Sequence, residues 1–161
     1  MTAVTTWYLE MKDPSQLRPA RPVDGFEVRR LDPPDPRLSR SLYERVGEAW
    51  QWTDRLGWGS ARWRAHLAHA QTWVGHLDGE PVGYAELVRT GGDVEITSFG
   101  LLPGFAGRGL GGALLAAVTR AAWDGGAGRV WLHTCSLDSP AALPSYERRG
   151  FRRYAEETGT R

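Results

Sequence analysis

The chain has 161 residues, a net charge of +1 and a 41% hydrophobic composition, which suits one compact domain spanning residues 1–161. So even a balance of charge leaves no basic footprint for nucleic acid or an anionic membrane surface, and no apolar run approaches the ~20 residues of a bilayer span. A single cysteine, Cys135, rules out an intramolecular disulfide. With no basic region followed by an apolar run at the N-terminus, it sets the expectation of a reducing, cytoplasmic location.

In chain order, residues 5–11 read as a short strand, and 13–24, with Pro14, Pro19 and Pro22, as a loop. Residues 26–31 alternate and predict a second strand. Asp35 before Pro36 is a helix start, an acceptor side chain at the N-cap and proline in the first turn. Leu38, Leu42, Val46, Ala49 and Trp50 form the apolar stripe of that helix. After a break at residues 51–59, Ser60 is the candidate cap of a second helix carrying Trp63, Leu67 and Ala70. Residues 72–77 and 82–89 are strands joined by the hairpin signal Asp78-Gly79, and Gly91-Gly92 leads into a strand over 94–101.

The segment from Val94 to Leu115 organises the chain. An apolar, β-branched stretch stops at Pro103-Gly104. Gly107, Gly109, Gly111 and Gly112 follow within six residues, and then Leu110, Leu114, Leu115 and Val118 recur at helical spacing. Glycines ahead of a helix leave several backbone N–H groups unpaired and unobstructed. Together with the positive end of the helix dipole, these form an anion site. Arg108 sits among them and adds a charge-assisted donor. Residues 107–112 satisfy G-x-G-x-x-G formally, yet no acid lies about 20 residues on, near Leu132 and His133, as a dinucleotide site requires. No G-x-x-x-x-G-K-[ST] is present. A diphosphate-like ligand and a purely structural turn both stay open on spacing alone.

The helix after the glycines ends near Asp124, and residues 129–135 form a further strand. Asp138 or Ser139 caps a last helix with Pro140 in its first turn and Gly150 at its C′ position. Residues 151–154 open a final strand. The order ββααβββαβαβ is a mixed α+β layout with a helix covering each face of one sheet.

The strand ending in Leu101-Leu102-Pro103, then Gly107-Arg108-Gly109-Leu110-Gly111, then Ala113-Leu114-Leu115 resembles the acetyl-CoA motif Q/R-x-x-G-x-G/A of the GNAT superfamily of N-acetyltransferases. Gly109 and Gly111 fall on its small positions, and the Gln/Arg position falls on Ala106. Ala142 and Tyr146 to Phe151 resemble the second motif, in which a helix with A-x-x-x-Y ends in Gly-Phe. Ser139 stands at the place of a frequent Asn, and Pro144 lies two residues before Tyr146. The two motifs cover residues 94–151 in the family's order.

The resemblance implies a central, mostly antiparallel sheet flanked by about four helices, with acetyl-CoA as acyl donor and an amine as acceptor. It places the donor on Phe99, Gly100 and Leu101 and on Gly107, Arg108, Gly109, Leu110, Gly111 and Gly112. No metal is called for, and a monomer and a homodimer are both compatible. An amine with a lysine-like pKa of ~10.4 must lose a proton to attack, and a thiolate leaving group with a pKa near ~8.5 gains from a donor. Tyr146 matches the family's usual acid, against the alternative of a packing tyrosine beside Phe151. Glu95 leads as base, with Glu86 and His133 as rivals.

The connection between the first two helices borders the acceptor in the resemblance. Here it holds Trp50, Trp52, Trp58 and Trp63, with Asp54 and Arg55 among them. Indole walls with a carboxylate floor suit a cationic or aromatic amine. Tryptophans are also ordinary core residues. The expected acceptor pocket is therefore Trp52, Asp54, Trp58, Glu86 and His133, and the expected acceptor a small amine. A protein acetyltransferase and a non-enzymatic acetyl-CoA binder are the alternatives.

Overall fold

The computed structural model describes residues 2–160. In chain order the elements are β1 (Ala3–Met11), β2 (Phe26–Arg30), α1 (Pro36–Gly47), α2 (Ser60–Leu67), β3 (Ala70–Leu77) and β4 (Glu80–Thr90). They continue with β5 (Asp93–Leu101), α3 (Leu110–Asp124), β6 (Arg129–Cys135), α4 (Ala142–Arg148) and β7 (Arg152–Thr160). This is the order that periodicity and turn residues predict. The seven strands form one sheet, β2-β3-β4-β5-β6-β1-β7, antiparallel throughout except for the β5–β6 pair. β1 inserts between β6 and β7, a placement with no local signal.

Strand alternation sends successive side chains to opposite faces, and each face has its own core. On one face Leu114, Leu115, Val118 and Ala122 of α3 pack on Leu87, Val94, Ile96, Val130 and Leu132, joined by Tyr146 of α4 and Phe151. Leu114 and Leu115 are fully buried, so truncating either to alanine costs about 2–5 kcal/mol. On the other face Leu42, Tyr43 and Val46 of α1 and Trp63 of α2 pack on Val74 and Tyr84.

Asp35 caps α1, accepting from the Leu38 N–H at 3.1 Å, with Pro36 as the first helical residue. Four helix boundaries differ from expectation, one of them the end of α2, which stops at Leu67 so that Ala70 opens β3 instead. α1 stops at Gly47 and passes into a 3-10 turn; Gln51 takes a left-handed φ of 60° and turns the chain. Ala49 is consequently exposed and leaves the stripe. The N-cap of α2 is Gly59, and Ser60 is already helical. α4 begins at Ala142 because Asp138 and Ser139 are spent on the preceding turn. Asp138 accepts from the Thr134 hydroxyl and the Cys135 N–H, and Ser139 accepts from the Ala141 N–H. Pro144 is thus the third residue of α4, where an N–H has no helical partner, and it breaks nothing.

Candidate active site

β5 and β6 are paired only from Asp93 to Ile96 and from Arg129 to Leu132. β5 runs on to Leu101 and β6 to Cys135, so the two strands part after the Ile96–Leu132 pair and open a wedge in the sheet. A bulge shapes the β4 side of the same strand. Glu86 pairs with Ser98 and Leu87 with Ile96, which leaves Thr97 without an opposite residue.

The glycine turn lies beyond the end of β5. Gly107 and Gly109 have φ of 81° and 78°, a left-handed conformation that side chains rarely adopt. Gly109 is the N-cap of α3 and offers no capping side chain. A Cβ on Gly107 would meet nothing within 4 Å, and one on Gly109 only Val23 at 3.7 Å. The backbone there is open to approach. The cleft beside it has a volume of about 680 Å³; Arg21, Arg108, Arg148 and Arg149 line it, with Asp24 as the sole carboxylate of the lining. The Arg149 guanidinium donates to the Pro19 carbonyl at 2.7 Å, and the Arg18 N–H to the Arg149 carbonyl at 2.8 Å, fixing the loop from β1 to β2 as the cleft's wall. This cationic cleft on a helix N-terminus fits a diphosphate. Leu110 is a buried core residue, and Gly111 and Gly112 lie in the first turn of α3.

Gly100 serves a different purpose. A Cβ there would fall 2.5 Å from Val46 of α1 and within 3.9 Å of the Trp52 ring. Its missing side chain lets α1 and Trp52 close down on β5. Phe99 and Leu101 join the α3 core instead. The Tyr146 ring stacks edge-on at 5.8 Å from Phe99 and 6.4 Å from Phe151, so Tyr146 packs beside Phe151 and also reaches the strand that borders the wedge. Burial, and secondarily the Asp138 carboxylate, push its hydroxyl pKa well above the ordinary value.

Glu95 alternates with Val94 and Ile96 and so emerges on the opposite face from α3. His133 is the first residue of β6 past the last pair, and its Nδ1 lies 3.5 Å from the Glu95 carboxylate. The Glu95 carboxylate beside it raises the His133 pKa, partial burial opposes this, and Asp138 and Asp54 add to the rise. The Tyr8 ring of β1 stands 5.7 Å from the imidazole. Trp52 donates from Nε1 to Asp138 at 3.4 Å. Glu95, His133, Trp52, Asp54 and Asp138 therefore share one neighbourhood above the wedge.

Glu86 and Trp58 do not belong to it. Glu86 is 1% exposed and takes both guanidinium nitrogens of Arg55, at 2.9 and 2.6 Å. It also takes His66 Nε2 at 2.9 Å and the Thr97 hydroxyl at 2.6 Å. Burial alone would raise its pKa; the hydrogen bonds from His66, Arg55 and Thr97 outweigh that and hold it at about 2. An ionised carboxylate only accepts, so His66 Nε2 carries the hydrogen. Trp58 stacks on Arg55 at 4.9 Å and on Arg62 at 4.5 Å. The carboxylate beneath these indoles is Glu86 of β4 and not the Asp54 of the connection itself, and Arg55 fills the space between. The available signal was Glu86 itself, since a carboxylate within an apolar strand demands a buried cation.

The acetyltransferase (GNAT) family model matches residues 29–151. Uncharacterized N-acetyltransferases of Mycobacterium bovis and Mycobacterium tuberculosis are 42% identical to this chain over 96 residues, which is 58% of this chain and 61% of theirs. The chain thus spans less than two thirds of the length of these relatives. A GCN5-related N-acetyltransferase from Sphaerobacter thermophilus superposes with a TM-score of 0.74 at 21% identity, covering 97% of this chain and 50% of that one. One from Kribbella flavida gives 0.70 at 22% identity, covering 96% and 56%. An aminoglycoside acetyltransferase from an uncultured soil metagenomic sample, in complex with sisomicin, gives 0.64 at 14% identity, covering 78% and 88%. With the parted strands and the glycine turn in the places described, and the family pattern matching residues 29–151, more than half of this chain, the chain belongs to the GNAT family of acetyltransferases.

Proposed function

We propose that this chain transfers an acetyl group from acetyl-CoA to the primary amine of a small molecule by direct attack. The observation that carries the reading is the parting of β5 and β6 after Ile96 and Leu132, beyond which lie the glycine turn and its arginine-lined cleft. Glu95 and His133 emerge on the sheet face opposite α3, and Tyr146 packs on the α3 face. The backbone N–H groups of residues 107–112, with Arg108, hold the diphosphate. Where β5 has left β6, the N–H groups of residues 99–101 that face the wedge lack a strand partner there and serve the carbonyl oxygen as negative charge develops on it.

The amine nitrogen bonds to the thioester carbon, the C–S bond breaks, and two proton movements complete the exchange. The amine's proton passes to neutral His133, which the Glu95 carboxylate orients through Nδ1. Tyr146, whose raised pKa keeps it protonated through the neutral range, donates to the departing sulfur. Asp54 and Asp138 lend negative potential that favours a cationic acceptor. The test is release of free CoA over a panel of small amines and peptides. Turnover of small amines supports the reading. Turnover of peptides alone makes this a protein acetyltransferase, binding without turnover makes it a regulator, and no acetyl-CoA binding at all overturns it.

A further inference from the structure

The loop between α1 and α2 carries an occupied cation cage. The Arg55 guanidinium lies 5.5 Å from the Tyr43 ring centre, 4.9 Å from Trp58 and 5.3 Å from Trp63. Glu86 closes the floor with two charge-assisted hydrogen bonds. The side chain is 12% exposed, and the Arg55 backbone N–H is held by the Tyr43 hydroxyl at 3.2 Å. Arg55 is thus fixed at both ends, next to Leu56 at the loop's tip, which is 52% exposed. Glu86 also holds Thr97, the bulge residue of β5. One carboxylate therefore ties the loop bearing Trp52 and Asp54 to the strand that borders the wedge.

A buried ion pair of this kind adds little net stability compared with apolar residues of the same volume. The planar fork, by contrast, fixes distance and angle at once. We infer that Arg55 is a positioning residue: it fills and closes a guanidinium-binding cage, and by doing so holds the α1–α2 loop in the conformation that the acceptor site requires. The cage is a binding site for a guanidinium ion whose ligand the chain itself supplies, and acceptors bind elsewhere, above Glu95 and His133. The kinetic consequence rests on the acetyl-transfer reading; the binding and loop consequences do not.

The experiment empties the cage and refills it. Arg55→Ala should raise the acceptor KM roughly ten- to hundredfold, the scale of a displaced binding group. The acetyl-CoA dissociation constant should move by less than about twofold, because its cleft lies on α3. Amide exchange across residues 51–59 should accelerate. Ethylguanidinium at millimolar, non-denaturing concentration should then restore both the KM and the exchange protection. Ethylammonium, with the charge but without the fork, should not, and the wild type should respond to neither. Wild-type loop exchange in Arg55→Ala, or failure of ethylguanidinium to restore it, overturns the inference. If the alanine variant does not fold, Arg55→Lys decides: a raised acceptor KM and faster loop exchange support the inference, and wild-type values of both overturn it. If no amine is turned over, loop exchange and rescue still test the cage, so the loss of the catalytic reading is distinguishable from the loss of this one.

Discussion

The two flanks of the parted strands are built from different materials. On the α3 flank the candidate donor site is mostly backbone, with left-handed glycines, free N–H groups at a helix start, and arginines around an open cleft. On the α1 and α2 flank the site is held by side chains that meet from distant parts of the chain: Arg55 with Glu86, Trp52 with Asp138, Glu95 with His133. A backbone site tolerates changes of neighbouring side chains and fails when its own glycines change. A side-chain site fails in degrees, and its failures separate one substrate from the other.

The largest effect is expected where the backbone itself is changed. Gly109→Val places a branched residue at a φ of 78° in the proposed diphosphate site, so acetyl-CoA affinity should fall by more than about a hundredfold. Calorimetry on the folded variant measures it, and unchanged affinity would reduce the turn to a structural one. Next comes Tyr146→Phe, which should lower kcat by about 10²-fold with the acetyl-CoA dissociation constant nearly constant. A drop of less than about threefold would return Tyr146 to packing against Phe99 and Phe151.

The Glu95–His133 pair offers a finer cut. His133 must be neutral to accept a proton, and the carboxylate beside it raises its pKa. The acidic limb of kcat/KM should therefore lie above the ordinary histidine value of ~6.5. Glu95→Gln should shift that limb downward and lower the rate by about 10- to 100-fold, while His133→Gln should remove the limb. If Glu95→Gln abolishes the limb and His133→Gln leaves it, Glu95 alone is the base. Smaller still, Trp52→Ala should raise the acceptor KM by about tenfold with donor binding intact. Equal loss for both substrates, together with a lower Tm, would make Trp52 part of the core. The smallest effect concerns stability in acid. Glu86 is held at about 2 against an ordinary 4.5, so its contribution is present above the ordinary value and is lost as pH falls through the folded one. In Glu86→Gln the unfolding free energy should lack that part of the fall between about pH 4.5 and 2, read from urea melts across the range. Identical acid slopes in the two proteins would mean that Glu86 is not held down.

What was legible in the sequence follows the same division. The element order, the Asp35 cap, the hairpin turn and the glycine turn with its helix are local properties, and 3.6- and 2-residue periodicities with Gly, Pro and Asp carry them directly. The family resemblance rests on the same segment. Helix ends were less legible, because tertiary contacts decide them: Trp52 against Gly47 at the end of α1, Asp138 against Thr134 before α4. Least legible was which acidic residue meets which cation. Arg55 and Glu86 are 31 residues apart, and no periodicity relates a loop arginine to a strand carboxylate. Likewise the bulge at Thr97 follows from pairing across β4 and β5, and the insertion of β1 from closure of the whole sheet.

That insertion has a consequence for the route to the fold. β1 pairs Ala3 with Thr160 on one side and Met11 with Val130 on the other, so three of the seven strands wait on a loop that spans most of the chain. High contact order of this kind slows the search for the native state. The β3–β4–β5 meander is closed by two hairpins and has the local contacts to form first; β2 joins it through the segment that carries α1 and α2, and β6, β1 and β7 would then assemble as one late cooperative unit. β7 is paired to the sheet only through β1, and all nine of its residues are exposed. Opening would then begin where folding ends: the β1–β7 ladder is the expected first step of partial unfolding, ahead of the β5–β6 pairing that borders the wedge.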